Sequence, residues 1–392
     1  MPWLLTLLAG LFLPFMVWAK PTPAILGLLD KAYQAQGQML SKDELLHRVS
    51  ENRFLLAEAH RLAPHFLTRQ AEVGFSTQFH TERYMLDLLQ HNFTFPSVNP
   101  LSDHDLATFD KPWLMAQLGS YPATGQYSAD QLKQLAQVEL QLPSVQCSLA
   151  DIVSTLSMQM RFALHQGDVR VLHHELERRN YYRQIIARLQ PELDKRQITL
   201  DALFELSQAE VLRPAMLAYL GVKQQMHSEK SPYLTALLEQ VSTAQIAAYY
   251  HAHKADFRYV AEVEAEGASF DSQAEALAFR EQLNQSPEVS FATLGDKQLF
   301  VAAQGRLNKA KSRNNWSQNV AFNLPPHTLS HPIRTPQGQW LLIKTGNRSY
   351  AYYDLSSETV RYQAREALLT AMAQAAYQQR FANWRQQQDA SL

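Results

Sequence analysis

The sequence predicts an α+β protein, a mainly helical module joined to one small antiparallel sheet with its own helices. Three observations predict it. Apolar residues recur at helical spacing through much of the chain before residue 240 and again after residue 355. From Phe257 the period falls to two: Phe257, Tyr259, Ala261, Val263 and Ala265 alternate with Arg258, Glu262, Glu264 and Glu266, the pattern of a half-buried strand. Glycine is scarce, 13 in 392 residues, which argues against a mainly β fold and against Gly-rich phosphate loops. The expected division is a signal peptide over 1–19, a helical module over 20–240, the sheet-bearing domain over 241–348 and a C-terminal helix over 349–392 that packs back on the helical module.

Met1 to Ala19 is uncharged and almost wholly apolar, and Val17-Trp18-Ala19 before Lys20 fits a signal-peptidase site. The rival reading is a retained inner-membrane anchor, because the run approaches the ~20 residues that span a bilayer. A net charge of −1 gives no reason to expect nucleic acid or an anionic membrane as partner. Cys147 is the only cysteine, so no intrachain disulfide exists, and beside Leu149 and Ile152 it reads as a small buried hydrophobe.

Ser41 and Glu44 have the spacing of a capping box, and Leu45, Val49, Leu56, Ala59 and Ala63 then form one apolar stripe. A second helix runs from Phe79 to about His91. Residues 92–126, with Pro96, Pro100, Pro112 and Pro122, read as a connector or an extended arm. Ser128 to Leu142, Ser148 to Leu164, Asp168 to Leu189 and Thr199 to His227 read as further helices, with Pro214 interrupting or starting one. His173 and His174 point about 100° apart on a helix, and no HExxH or CxxC occurs, so no metal and no cofactor is expected.

Val241 to Arg258 reads as a helix capped by Ser242 and Thr243 that ends just before the strand. Ser269 to Leu283 is a helix with Ala274, Leu277, Ala278 and Leu283 on its buried side. Pro325-Pro326 bends the chain, Thr335-Pro336-Gln337-Gly338 is a turn, and Trp340-Leu341-Leu342-Ile343 is a short strand buried on both sides. The final helix spans roughly Ser356 to Gln387, with Val360, Ala364, Leu368, Met372 and Ala375 as its stripe.

Two stretches together resemble the parvulin (rotamase, PpiC-like) domain of SurA-like periplasmic chaperones. They are Val241, Ser242, Ile246, Tyr249, Tyr250, His253 and Phe257, and then Ala321, Phe322, Leu324, Pro325, Ser330, Pro332, Ile333, Thr335 and Gly338. Residues near 36–63 also resemble the opening of SurA-like N-terminal domains. The resemblance implies a periplasmic folding factor with unfolded or nascent exported polypeptides as partners. It also implies a peptidyl-prolyl cis-trans isomerase site, an apolar proline pocket beside a polar cluster with one histidine on the first strand and one on the last.

That site is not in place. No histidine occurs between Lys254 and Pro326, and the last-strand histidine position holds Trp340. Counted back from Phe322, the pocket's Met and Phe fall at Arg313 and Ser317. His327 and His331 remain as a remnant, on a connecting loop. The expectation is therefore a degenerate isomerase that binds clients through Phe291, Trp316, Phe322 and Trp340. An active isomerase and an assembly factor dedicated to one partner are the alternatives.

Overall fold

The computed structural model describes residues 22–68, 76–223, 230–286, 288–312 and 315–390. The signal expected over Met1 to Ala19 and the pocket position Arg313 lie outside them, as does His227. The architecture is α+β, as the two periodicities predict. The chain forms two compact units: residues 1–237 with 370–392, and residues 238–369.

The first unit is helical. Its helices are α1 (Pro23–Ala35), α2 (Lys42–Leu62), α3 (Thr77–Gln90), α4 (Asp103–Ala107), α5 (Lys111–Leu118) and α6 (Ala129–Ala136). A hairpin of β1 (Glu139–Gln141) and β2 (Gln146–Ser148) follows, then α7 (Leu149–Thr155), α8 (Met158–His165), α9 (Val169–Lys195) and α10 (Leu200–Tyr219). Most of these helices start on a Ser, Thr or Asp whose side-chain oxygen accepts a first-turn N–H. At Ser41 the box is complete: its N–H donates to Glu44 Oε2 at 2.8 Å and its Oγ accepts from Glu44 N–H at 3.3 Å. Leu28, Leu29, Val49, Leu88, Leu89, Ile185, Leu193 and Leu203 make one core across α1, α2, α3, α9 and α10. A second core joins Phe54, Leu55 and Ala59 of α2 to Leu212 and Met216 of α10, and a third occupies residues 101–176.

Several sequence expectations are corrected here. The helix expected over Ser128 to Leu142 stops at Ala136, and the chain turns into the β1–β2 hairpin, whose Leu140 is buried. The helix expected over Ser148 to Leu164 breaks in two, because Ser157 caps a new one. Pro214 lies inside α10 and neither starts nor interrupts it; Pro191 likewise sits in the last turns of α9. Each proline forfeits one i→i−4 bond and the surrounding packing holds the helix together.

The second unit follows α11 (Pro232–Glu239), which straddles the boundary between the two. It comprises α12 (Thr243–Ala252), β3 (Arg258–Phe270), α13 (Gln273–Gln285), β4 (Gln298–Leu299), β5 (Arg306–Asn308), α14 (Trp316–Asn323), β6 (Ile333–Arg334), β7 (Trp340–Tyr352) and the start of α15 (Glu358–Ala390). The antiparallel sheet has the order β4-β3-β7-β6, with β5 also pairing β3. Its two long strands separate two apolar layers. Val263, Ala265, Leu341 and Ile343 face one way, onto Ala321 and Phe322 of α14. Ala268, Phe270 and Leu342 face the other way, onto Ala276 and Phe279 of α13. That alternation explains why Leu341, Leu342 and Ile343 are all buried.

On α13 only Leu283 of the expected face meets the sheet. Ala274, Leu277 and Ala278 are exposed, and the sheet takes Ala276, Phe279 and Leu283. In α15 the buried stripe is Val360, Ala364, Leu369, Ala373, Tyr377 and Phe381, while Leu368 and Met372 are half-buried and Ala375 is exposed. From Thr370 onward this helix belongs to the first unit, where Tyr377 and Phe381 pack on Phe54. Gly221, at φ +75°, makes close approach possible there: a Cβ at that position would lie 2.9 Å from Cβ of Ala373.

Candidate functional site

The closing stretch of the second unit is built by its turns. Pro325-Pro326 leads into a strap over Thr328 to Ser330 that is bonded to β7. Thr345 donates its N–H to Thr328 O at 2.9 Å, Ser330 donates its N–H to Ile343 O at 2.8 Å, and Ile343 N–H donates to Ser330 Oγ at 3.0 Å. The buried Thr345 hydroxyl donates to Pro325 O, which anchors the entry to the strap. The turn over Thr335 to Gly338 then closes the β6–β7 hairpin, with Gly338 at φ +93° as the left-handed position.

On this frame the expected site residues fall in three places. Trp340 pairs with Phe270 of β3 and Arg334 of β6 and, half-buried, packs against the layer under α13 that contains Phe291, Phe279 and Leu342. Phe291 is only 2% exposed there. Phe322 is 6% exposed and lies on the opposite side of the sheet, under Lys309, whose Nζ is 4.7 Å from its ring centre. Trp316, at the first position of α14, is 42% exposed. The sheet therefore puts Phe291 and Trp340 in one layer and Phe322 in the other. Phe291 and Phe322 are core residues, so the expectation that they contact clients is corrected; Trp316 and part of Trp340 are the accessible members.

His327 and His331 flank the bonded strap, both exposed, His327 in the left-handed region at φ 54°. Among the described residues neither imidazole has a hydrogen-bond or ion-pair partner. β3 carries no histidine to face them. Ser317 donates its hydroxyl at 2.8 Å to Oδ1 of Asn315, the N-cap of α14, so a small polar side chain stands at the position expected of the pocket's Phe. Nothing in this arrangement is an acid–base pair. Among the described residues no group of three His, Cys, Asp or Glu is placed to hold a metal ion.

Sequence reasoning missed the far end of β7. The strand continues past Arg348 to Tyr352 and exposes Tyr350 (48%) and Tyr352 (45%). Arg258 lies 3.7 Å above the Tyr350 ring and Lys254 Nζ 5.1 Å above that of Tyr352. The signal was the alternation Arg348, Tyr350, Tyr352, which continues the strand period through polar and aromatic residues.

Comparison with known proteins gives one family match. Residues 241–361 match the PPIC-type PPIASE domain. No curated protein matches the chain. Solved structures with some likeness include one of the two SurA-like chaperones of Campylobacter jejuni described together, the virulence factor PEB4 and the periplasmic protein Cj1289. It has 14% identity, covers 74% of this chain and 96% of its own, and has a TM-score of 0.20. The foldase PrsA of Streptococcus pneumoniae has 11% identity over 53% of this chain and 71% of its own, TM-score 0.21. PrsA of Bacillus subtilis has 16% over 53% and 72%, TM-score 0.18. At such TM-scores these likenesses carry no weight, and the family match alone supports the assignment. The chain is a divergent parvulin-domain protein, whose PPIC-type PPIase domain is residues 241–361.

Proposed function

We propose that this protein is a periplasmic folding factor that binds unfolded exported or outer-membrane polypeptides, on a parvulin-type domain whose isomerase chemistry has decayed. One observation carries the reading: Trp340 occupies the last-strand histidine position and packs into the layer under α13. Turning an X-Pro bond crosses a barrier of ~18–20 kcal/mol set by amide resonance. An indole without a basic nitrogen offers no proton exchange to a polar cluster, and β3 supplies no second group. The helical residues 20–240 and the returning C-terminal helix are read as the client-holding module. The export signal expected over 1–19 supports a periplasmic location. Among the described residues no helix is long and apolar enough to cross a membrane.

Two assays on the purified protein test this. In a proline-peptide isomerisation assay the expected rate enhancement is negligible. A rate comparable to active parvulins, abolished by His327→Ala or His331→Ala, overturns the degenerate site in favour of a rebuilt one. In aggregation assays with several unrelated unfolded proteins, protection of all of them is expected. Protection of a single one would mean a dedicated assembly factor.

A further inference from the structure

We propose that the outer edge of β7, from Arg348 to Tyr352, takes an extended acidic polypeptide segment as an added strand. The inference deepens the reading above, and rests on it only for the source of the guest. The backbone comes first. Tyr352 stands opposite Arg258 and Tyr350 opposite Val260, and Tyr353 donates its N–H to Phe257 O at 3.0 Å. In an antiparallel ladder that bond makes the Tyr352 and Tyr350 positions non-hydrogen-bonded pairs. Their own N–H and C=O groups therefore point away from β3. By the same alternation so do those of Arg348, which is paired with Val263. Toward the other end of β7, β6 and the Thr328–Ser330 strap cover this edge. Among the described residues no strand pairs with it between Arg348 and Tyr352. A row of outward donors and acceptors is a template for strand addition.

The charge comes second. Arg348, Tyr350 and Tyr352 share one face of β7, and Arg258 reaches it from β3. Arg258 and Lys254 lie over the two tyrosine rings, so the cations are held in place. Among the described residues Lys254, Arg258 and Arg348 form no ion pair. Arg348 also buries Nε and Nη2 without an acceptor. The β3 carboxylates lie on the opposite face of the sheet: Glu264 accepts from Asn347 Nδ2 at 3.0 Å, and Glu262 from Asn308 Nδ2 at 3.3 Å and from Ser349 Oγ at 3.5 Å. Cations without an ion-pair partner beside an open edge favour carboxylates on the guest, and the exposed tyrosine rings offer its alternate side chains an apolar footing.

The test uses the full chain and two synthetic heptapeptides, one alternating Thr with Glu and one alternating Thr with Lys. The acidic peptide is expected to bind at least 10-fold tighter than the basic one and to slow hydrogen exchange at the Tyr350 and Tyr352 amides. Arg258→Glu, at an exposed position, should reverse that preference. Tyr352→Pro removes an outward N–H without breaking the ladder to β3 and should weaken binding at least threefold. Equal binding of the two peptides overturns the proposal, as does undiminished binding of an acidic peptide N-methylated at alternate amides. Protection of the same amides by concentration-dependent self-association, without peptide, would make the occupant a second copy and also overturn it. Wild-type protection of unfolded proteins that Arg258→Glu and Tyr352→Pro leave intact, with no peptide bound, refutes this edge and spares the folding-factor reading. Peptide binding at the edge without any such protection does the reverse.

Discussion

At the scale of single residues, the helical unit shows how many partners a buried carboxylate needs. Glu175 is buried, and burial, the largest influence on it, pushes its pKa up. Bonds from Arg178 at 2.7 Å and Arg179 at 2.9 Å, with the Thr155 hydroxyl, outweigh that and hold it below the usual carboxylate range. Among the described residues Glu205 has Arg53 alone, at 3.4 Å, and there burial wins, raising its pKa to about 6 from 4.5. Because the folded form binds its proton more tightly, this group favours the fold most below about pH 4.5, and that contribution is lost as pH rises through about 6. Glu205→Gln should flatten the fall in melting temperature over that window, with thermal melts from pH 4 to 7 as the measurement. An unchanged pH profile would remove Glu205 as its source. Single residues were unevenly legible in the sequence. The Ser41–Glu44 box could be read because capping is local chemistry. That Trp340 packs into the layer shared with Phe291 could not, since only the register of β7 against β3 decides which layer each residue enters.

At the scale of elements, type was easier to read than facing or extent. The Gly338 turn is carried by residues a few positions apart and stands in the structure; β3 is a strand as its alternation predicts, but register shifts between Val260 and Glu262 and between Val263 and Ala265 break the strict period. The buried face of α13 depends on how the helix lands on the sheet, which no window of its own sequence contains. The same holds for α15, whose stripe is shifted from Leu368 and Met372 to Leu369 and Ala373. Two substitutions one residue apart separate the alternatives. Ala373→Asp places an unpaired charge in a closed site and should cost several kcal/mol in denaturant unfolding of the helical unit. Met372→Asp, half-buried, should cost clearly less because its carboxylate reaches water. Equal costs would mean that the helix is rotated from the position described.

At the scale of the whole molecule, the helical unit is discontinuous in sequence and the parvulin-domain segment is inserted within it. The sequence suggested the return because a long C-terminal stripe needs a partner, but it could not say where along α15 the helix leaves one unit for the other. Truncation after Leu369 should abolish the cooperative melting of the helical unit, since it removes Tyr377 and Phe381 from Phe54. Retention of that transition would show that residues 370–392 contribute nothing essential. The same arrangement has a consequence in time. Tyr377 bonds Glu51 across a separation of 326 residues. At about 5–20 residues per second of synthesis, roughly 15–65 s pass between the two leaving the peptidyl-transferase centre. Through that interval Phe54 of α2 lacks the rings of Tyr377 and Phe381 that cover it, so every newly made copy passes through a stage in which it shares an exposed apolar surface with the unfolded chains it is proposed to hold.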